Sequence, residues 1–244
     1  MLDLESYLAV MQRPAGTPVM HQRWERLLFL HWAHAPSEVA ALLPPGLELD
    51  LFEGRAWVAA TPFTLAGLRP PVLPPMPGVS RFHELNARTY VHHNGVPGVW
   101  FFSLDAASRL AVFAARRLYR LPYFHARMEV VPEDGAIHYT SRRTHDGAPE
   151  AAFEAIWTPG APLAQSEPGT LPFFLTERYV LFAADRQGIH RARIHHGPWP
   201  LHAAAVAHLR STLLEAAGLS TPGREPLAHH SPGVEVAVWP LEPA

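Results

Sequence analysis

The chain has 244 residues, of which 48% are hydrophobic and 17% charged, so it can bury a sizeable core and is not disordered. Its 20 basic residues are all arginines, and it has 22 acidic residues. This near balance of charge argues against a broad nucleic-acid-binding surface. Because the sequence contains neither lysine nor cysteine, it excludes an active-site lysine, a thiolate nucleophile, a disulfide and a cysteine-ligated zinc.

The N-terminus and the hydropathy pattern favour a cytoplasmic protein that does not associate with membranes. Residues 1–5 are acidic and lack the features of a signal peptide, and no apolar run reaches the roughly 20 residues that span a bilayer. The proline cluster at 70–77 is interpreted as a stiff surface loop, because strand-like patterns continue on both sides. We predict a single domain over residues 1–244, with residues 1–20 as an N-terminal extension.

The first half of the chain predicts strands interrupted by two helices. A buried strand is predicted over 23–32, and a short helix over 37–43. Turns at 53–54 and 94–95 predict hairpins that join 47–52 to 55–61 and 86–92 to 99–104. A helix is predicted over 104–120, with Asp105 near its start and one apolar stripe formed by Leu110, Phe113, Ala114, Leu118 and Leu121.

The second half continues this pattern. Turns at 133–135 and 186–187 predict hairpins that join 123–131 to 136–143 and 178–184 to 190–196. Further strands are predicted over 151–157 and 234–239, and a helix over 203–217 that Gly218 ends. The whole pattern predicts an α+β fold, mainly antiparallel β, with one strongly bent, barrel-like sheet and a few helices.

Period-2 alternation places polar side chains in rows on some of these strands. Glu84, Asn86, Arg88 and Tyr90 share one face of their strand. This face is either a solvated surface, as in many antiparallel sheets, or the wall of a cavity in which Glu84 and Arg88 contact a small ligand. Two further segments repeat the combination of acid, arginine and tyrosine: Tyr123, His125, Arg127 and Glu129; and Glu177, Arg178 and Tyr179. Each acid–arginine pair is equally compatible with a structural salt bridge.

Several common chemistries find no support in the motifs. The sequence lacks a Gly-rich phosphate loop, a dinucleotide-binding fingerprint and the Gly-x-Ser-x-Gly elbow of serine hydrolases. The 16 histidines include doublets such as His92-His93, but adjacent residues of a strand point to opposite faces and seldom bind one ion. We therefore predict no metal site and no cofactor.

Longer runs of residues resemble the YqjF-like bacterial family, which is similar in fold to acetoacetate decarboxylase. The resemblance extends from about residue 20 to the end of the chain. It is carried by the segments at 28–32 (LFLHW), 43–50 (LPPGLELD), 54–58 (GRAWV), 82–91 (FHELNARTYV), 98–106 (GVWFFSLDA), 115–117 with 121–124 (ARR and LPYF), 174–179 (FLTERY) and 195–201 (HHGPWPL).

The resemblance implies a bent antiparallel sheet that closes into a cone-shaped barrel with an internal pocket. Acetoacetate decarboxylases use a lysine that forms a Schiff base with the substrate ketone, and the similar stretch here places Tyr123 or Phe124 at that position. Neither side chain can form an imine, so covalent amine catalysis is excluded.

We therefore predict an enzyme that acts on a small oxygenated, anionic metabolite by acid/base chemistry without a Schiff base, such as a lyase, hydratase or isomerase. Glu84 and Tyr123 are the candidate catalytic residues. The candidate ligand-binding residues are Arg88, Arg116, Arg117, His125 and Glu177. The alternatives are a small-molecule binding or sensing protein on the same barrel, and a structural protein with a vestigial pocket. The predicted partner is a small molecule rather than nucleic acid or a membrane, and a homo-oligomer is left open.

Overall fold

A computed structural model describes residues 2–76 and 80–244; Pro77 of the predicted proline loop lies outside these residues. Within them, four helices are present: α1 Leu4–Met11, α2 Pro36–Ala40, α3 Arg109–Leu118 and α4 Leu171–Thr176. The strands are β1 Met20–His34, β2 Glu48–Leu49, β3 Ala56–Arg69, β4 Phe82–His93, β5 Val96–Ala106, β6 Tyr123–Glu133, β7 Ala136–Arg143, β8 Ala152–Pro162, β9 Val180–Asp185, β10 Gly188–His195, β11 His202–Ser211, β12 Leu227–Val238 and β13 Glu242–Pro243. None of the helices in this described part is long and apolar enough to cross a membrane.

Seven of the strands pair edge to edge into a closed ring, in the order β1, β3, β4, β5, β9, β10 and β12. Every pair in the ring is antiparallel except β5–β9, which is parallel. The expected fold class, α+β with a mainly antiparallel, barrel-like sheet, is therefore confirmed. Outside the ring, β5 also runs parallel to β6.

A second layer, formed by β6, β7, β8 and β11, covers the outside of this ring. Leu85 and Ala87 of β4 point outward and pack with Tyr139 and Phe153 of the second layer in one apolar core. The alternate residues of β4, among them Glu84, point to the ring interior. Both faces of β4 are therefore buried, which explains how a strand with a polar row comes to have little exposed surface.

Three of the four predicted hairpins are confirmed, at the turns 94–95, 133–135 and 186–187. The turn at 53–54 exists, but it joins only an isolated bridge between Phe52 and Arg55. The short strand β2, which precedes this turn, pairs with β4 and not with β3, so the first hairpin prediction is wrong.

The helix predicted over 203–217 is also wrong, because residues 202–211 form strand β11. Strand β11 pairs with β8, and its residues alternate between half-buried and exposed positions. This tertiary pairing overrides the high helix propensity of its alanines. Only a 3₁₀ turn at Glu215–Ala217 remains, and Gly218 ends it in the left-handed conformation with φ of +84°.

Helix α3 is confirmed over Arg109–Leu118, but most of its apolar stripe is exposed. Leu110, Phe113 and Leu118 are each more than half exposed, and Val112 is the fully buried residue. Ser108 is the N-cap of the helix. Asp105, which was expected near the start of the helix, belongs to β5 and accepts a hydrogen bond from Arg143. The helix packs against β5 and β6 through the face that holds Val112.

Candidate ligand pocket

A pocket of about 130 Å³ lies within the ring and receives lining residues from all seven ring strands. An engineered apolar cavity of about 150 Å³ holds benzene, so this volume suits a ligand of about six non-hydrogen atoms. Most of the lining is apolar, and Ala115, Tyr119 and Leu121 contribute to it from α3 and the segment that follows. The polar lining residues are Gln22, Thr61, Glu84, Asn86, Arg88, Tyr119, Tyr123, Thr176, Arg178 and His196.

Glu84 is the buried carboxyl group of this pocket, with 3% of its surface exposed. The Tyr123 hydroxyl donates to it, at 3.1 Å from one carboxylate oxygen and 3.2 Å from the other. Burial raises the pKa of Glu84 to about 7, although the hydrogen bonds from Tyr123 and Asn86 oppose this effect. Burial, with Glu84 nearby, also raises the pKa of Tyr123, so its hydroxyl stays protonated.

Arg88 is the second charged residue of the row and lies four residues further along β4. Its guanidinium lies over the rings of Phe29 and Tyr90, at 5.8 and 5.7 Å from their centroids. One terminal nitrogen donates to the backbone oxygen of Leu175 at 3.3 Å. Among the residues described, neither Arg88 nor Glu84 forms a salt bridge.

The pocket lining contains buried polar atoms that have no protein partner. Six lining side chains contain such an atom, counted over residues 2–76 and 80–244: Thr61 Oγ1, Asn86 Oδ1, Arg88 Nε, Arg178 Nη2, His196 Nε2 and Trp199 Nε1. A buried polar group without a hydrogen bond costs about 1–3 kcal/mol. These atoms therefore create a demand for hydrogen bonds that a polar ligand can meet.

The pocket lining does not include all candidate residues from the sequence. Glu84, Arg88 and Tyr123 lie together in it, whereas Arg116 and Arg117 are exposed on α3. Arg116 donates to the backbone oxygen of Tyr123 at 2.8 Å, which explains its position outside the pocket.

His125 and Glu177 do not line the pocket, and each has hydrogen-bond partners of its own. The His125 ring bonds the Thr144 hydroxyl at 2.8 Å. The Glu177 carboxylate accepts from the Tyr179 hydroxyl at 2.5 Å and from the backbone nitrogen of Trp199 at 3.0 Å.

Arg178 is a buried arginine that lines the pocket, although the sequence did not single it out as a candidate. It forms a salt bridge with Asp50 at 2.7 Å, and the hydroxyl of Tyr7 in α1 donates to the same carboxylate at 2.7 Å. Its Nε also donates to the backbone oxygen of Phe174 at 2.7 Å. Since its charge is balanced by Asp50, we interpret Arg178 as part of the structural framework of the pocket.

His196 and Thr61 are further lining residues that sequence reasoning missed. Burial lowers the pKa of His196 to about 4, so its ring is neutral at physiological pH. The period-2 pattern contained a usable signal for Thr61, because it lies directly opposite Asn86 in the β3–β4 pair. For His196, which follows the end of β10, no local pattern indicated the pocket.

The ring and its second layer define an acetoacetate decarboxylase-like fold, as solved structures show. The chain is similar to the enduracididine biosynthesis enzyme MppR complexed with pyruvate, at 13% identity and a TM-score of 0.63 over 93% of this chain and 90% of that one. It is also similar to an acetoacetate decarboxylase-like enzyme from Sphingomonas wittichii RW1, at 13% identity and a TM-score of 0.61 over 94% of both chains. Acetoacetate decarboxylase from Legionella pneumophila matches at 14% identity and a TM-score of 0.58, over 93% of this chain and 86% of that one.

The sequence comparisons then define the family. Residues 21–235 match the family described as "Uncharacterized conserved protein" (DUF2071), and the chain belongs to this family. It is also 42% identical over 228 residues to "Uncharacterized protein YqjF" of Bacillus subtilis, which covers 93% of each protein. The expected resemblance to the YqjF-like family is therefore confirmed.

Proposed function

We propose that the protein is an enzyme that binds a small carboxylate in the ring pocket and performs acid/base chemistry on it without a Schiff base. The observation that carries this proposal is the placement of Glu84 and Arg88 in one pocket, without a salt bridge between them or to any other described residue. Arg88 is half-buried, and a charge that has lost part of its hydration without gaining an ionic partner is destabilised, so an anionic ligand beside Arg88 stabilises this arrangement.

Arg88 is the proposed carboxylate-binding residue. Its guanidinium is positioned by the nearby rings of Phe29 and Tyr90 and by one hydrogen bond to the backbone oxygen of Leu175. Among the residues described, this contact is the only hydrogen bond of the guanidinium and occupies a single terminal nitrogen, so other N–H groups are available to donate to a carboxylate. Arg116, Arg117, His125 and Glu177 are not part of this proposal, because they do not line the pocket.

Glu84 is the proposed proton carrier, and Tyr123 holds it in place. With a pKa of about 7, Glu84 is present as acid and as carboxylate in comparable amounts near neutral pH. It can therefore donate a proton to a bound ligand or accept one, which suits a lyase, hydratase or isomerase. The Tyr123 hydroxyl orients the carboxyl group and is itself a hydrogen-bond donor.

The similar solved structures support a small carboxylate as the ligand. One of them, MppR, is described in complex with pyruvate, which is a carboxylate of six non-hydrogen atoms. This size agrees with the 130 Å³ pocket of the present protein. We further place the activity in the cytoplasm, because a chain without cysteine suits a reducing compartment.

A binding or sensing protein is the second candidate function, and the largely apolar lining of the pocket favours it. Incubation with short oxo- and hydroxycarboxylates in D₂O, followed by NMR, separates the two functions. Conversion or deuteration of a ligand that disappears in Glu84→Gln supports an enzyme. Ligands that bind but remain unchanged support a binding protein.

Calorimetric titration with butanoate tests the proposed anion site. We expect Arg88→Gln to weaken binding about tenfold or more, since it removes charge-assisted hydrogen bonds. Arg142→Gln is the matched control, because Arg142 is exposed on β7 and distant in sequence from the pocket strands. Equal affinities in the wild type and Arg88→Gln would contradict the proposed function.

A further inference from the structure

The wall of the pocket between Glu84 and Arg88 contains two buried polar side chains that lack hydrogen-bond partners. Asn86 lies between these two residues on β4, and Thr61 lies directly opposite Asn86 on β3. Both side chains line the pocket and both are more than nine-tenths buried. Neither the hydroxyl oxygen of Thr61 nor the amide oxygen of Asn86 has a partner among the residues described.

The orientation of the Asn86 amide follows from its neighbour. The Asn86 side chain lowers the pKa of Glu84, as an N–H donor near a carboxylate does. A carboxylate only accepts hydrogen bonds, so the amide nitrogen of Asn86 faces Glu84 and the amide oxygen faces away from it. The wall therefore offers an acceptor at Asn86 beside a hydroxyl at Thr61, which both donates and accepts.

We propose that this pair binds a hydroxyl group of the ligand, which makes the preferred ligand a small hydroxycarboxylate. A ligand hydroxyl accepts from Thr61 and donates to Asn86, so it satisfies both groups at once. A ligand carbonyl only accepts and leaves the Asn86 oxygen unpaired, whereas an unsubstituted chain leaves both groups unpaired. The inference rests on the proposed function, because it takes Arg88 as the group that binds the carboxylate.

The strand geometry supports this assignment. Asn86 is two residues from Arg88 on the same face, and two residues of a strand span about 7 Å. A carboxylate and a hydroxyl on one short chain can bridge two residues at this spacing. Sites that hydrogen-bond a ligand hydroxyl discriminate strongly against analogues that lack it, because the buried groups are then left without partners.

A ligand panel in the wild type is the first part of the test. Affinities are measured by calorimetry for 2-, 3- and 4-hydroxybutanoate and for butanoate, which has the same carbon chain without the hydroxyl. We expect at least one hydroxybutanoate to bind about tenfold tighter than butanoate. If butanoate binds in an Arg88-dependent way but no hydroxybutanoate binds more tightly, the proposed function stands and this inference is overturned.

Two variants then locate the hydroxyl site. Thr61→Val and Asn86→Leu each remove one of the two groups, and we expect the preference for the hydroxy acid to fall to about twofold or less while butanoate affinity changes little. Thr89→Val is the matched control: Thr89 is equally buried on β4 but is absent from the pocket lining and bonds the Trp57 backbone. A preference that persists in both Thr61→Val and Asn86→Leu overturns the inference, as would an equal loss in Thr89→Val.

Circular dichroism of each variant shows whether it folds, and either Thr61→Val or Asn86→Leu alone suffices for the comparison. The wild-type panel decides the ligand preference even if neither variant folds. Absence of binding by every carboxylate in the panel overturns the proposed function, and the inference with it.

Discussion

At the scale of single residues, burial determines the chemistry of the pocket. Alternation along β4 was enough to predict that Glu84, Asn86 and Arg88 share a face, because side chains in a strand repeat every two residues. It did not predict which arginines accompany them. Arg116 and Arg117 are close to Tyr123 in sequence, yet they lie on the exposed side of a helix, and helix orientation depends on packing that local sequence does not contain.

The raised pKa of Glu84 predicts a pH dependence of stability. The folded-state pKa of about 7 exceeds the ordinary value of 4.5, so the folded protein binds the proton more tightly than the unfolded chain. Between these pH values the Glu84 contribution to the free energy of unfolding falls as the pH rises, by about 3 kcal/mol in total. Denaturant unfolding from pH 4 to 8 should therefore show Glu84→Gln gaining stability relative to the wild type. A difference independent of pH would mean that the pKa of Glu84 is not raised.

The absence of lysine predicts the outcome of imine trapping. With the α-amino group blocked, the chain has no primary amine that can condense with a ketone. Treatment with borohydride and a small ketone should therefore give no covalent adduct by mass spectrometry. A stoichiometric adduct on a side chain would refute the exclusion of Schiff-base chemistry.

At the scale of elements, tertiary contacts override local patterns in two places. The alanine-rich segment at 202–211 has the composition of a helix, yet it forms β11 because β8 provides a partner along most of its length. The apolar stripe of α3 has the period of a buried helix face, but the helix packs through Val112 instead. Two hairpin turns, by contrast, were predictable from Asn94-Gly95 and Asp134-Gly135, because such pairs specify tight turns locally. The third confirmed turn, at 186–187, was indicated by Asp185 and Gly188 on either side of it.

The orientation of α3 predicts the effect of truncating its side chains. Val112→Ala removes two buried methyl groups and should lower the free energy of unfolding by about 2 kcal/mol. Phe113→Ala removes a larger but exposed side chain and should change it by no more than about 0.5 kcal/mol. Urea denaturation of both variants measures the contrast. A larger loss in Phe113→Ala than in Val112→Ala would show that the exposed face of α3 is covered in solution.

At the scale of the whole molecule, ring closure depends on pairs of strands that are far apart in sequence. β5 pairs with β9, and β10 pairs with β12. Local periodicity predicts strands and hairpins but not such long-range pairs. The closed architecture was therefore expected from the family resemblance rather than from the residues themselves. Because the second layer covers the outer face of β4, the polar row faces the pocket rather than solvent.

We propose that residues 1–244 form a single domain that includes the N-terminal extension. The strands on either side of the proline-rich segment pair with each other, and Tyr7 of α1 bonds the buried Asp50. One cooperative unfolding transition should therefore appear, with coincident midpoints for tryptophan fluorescence and far-UV circular dichroism. Two separated transitions would show that the chain contains more than one folding unit.

The most direct test of the account is a crystal structure of the protein soaked with butanoate or a hydroxybutanoate. The account predicts density for one ligand inside the ring, with its carboxylate within about 3 Å of the Arg88 guanidinium. It also predicts that the ligand chain extends along β4 toward Glu84. A ligand bound only outside the ring, or one inside it whose carboxylate does not contact Arg88, would contradict the proposed site.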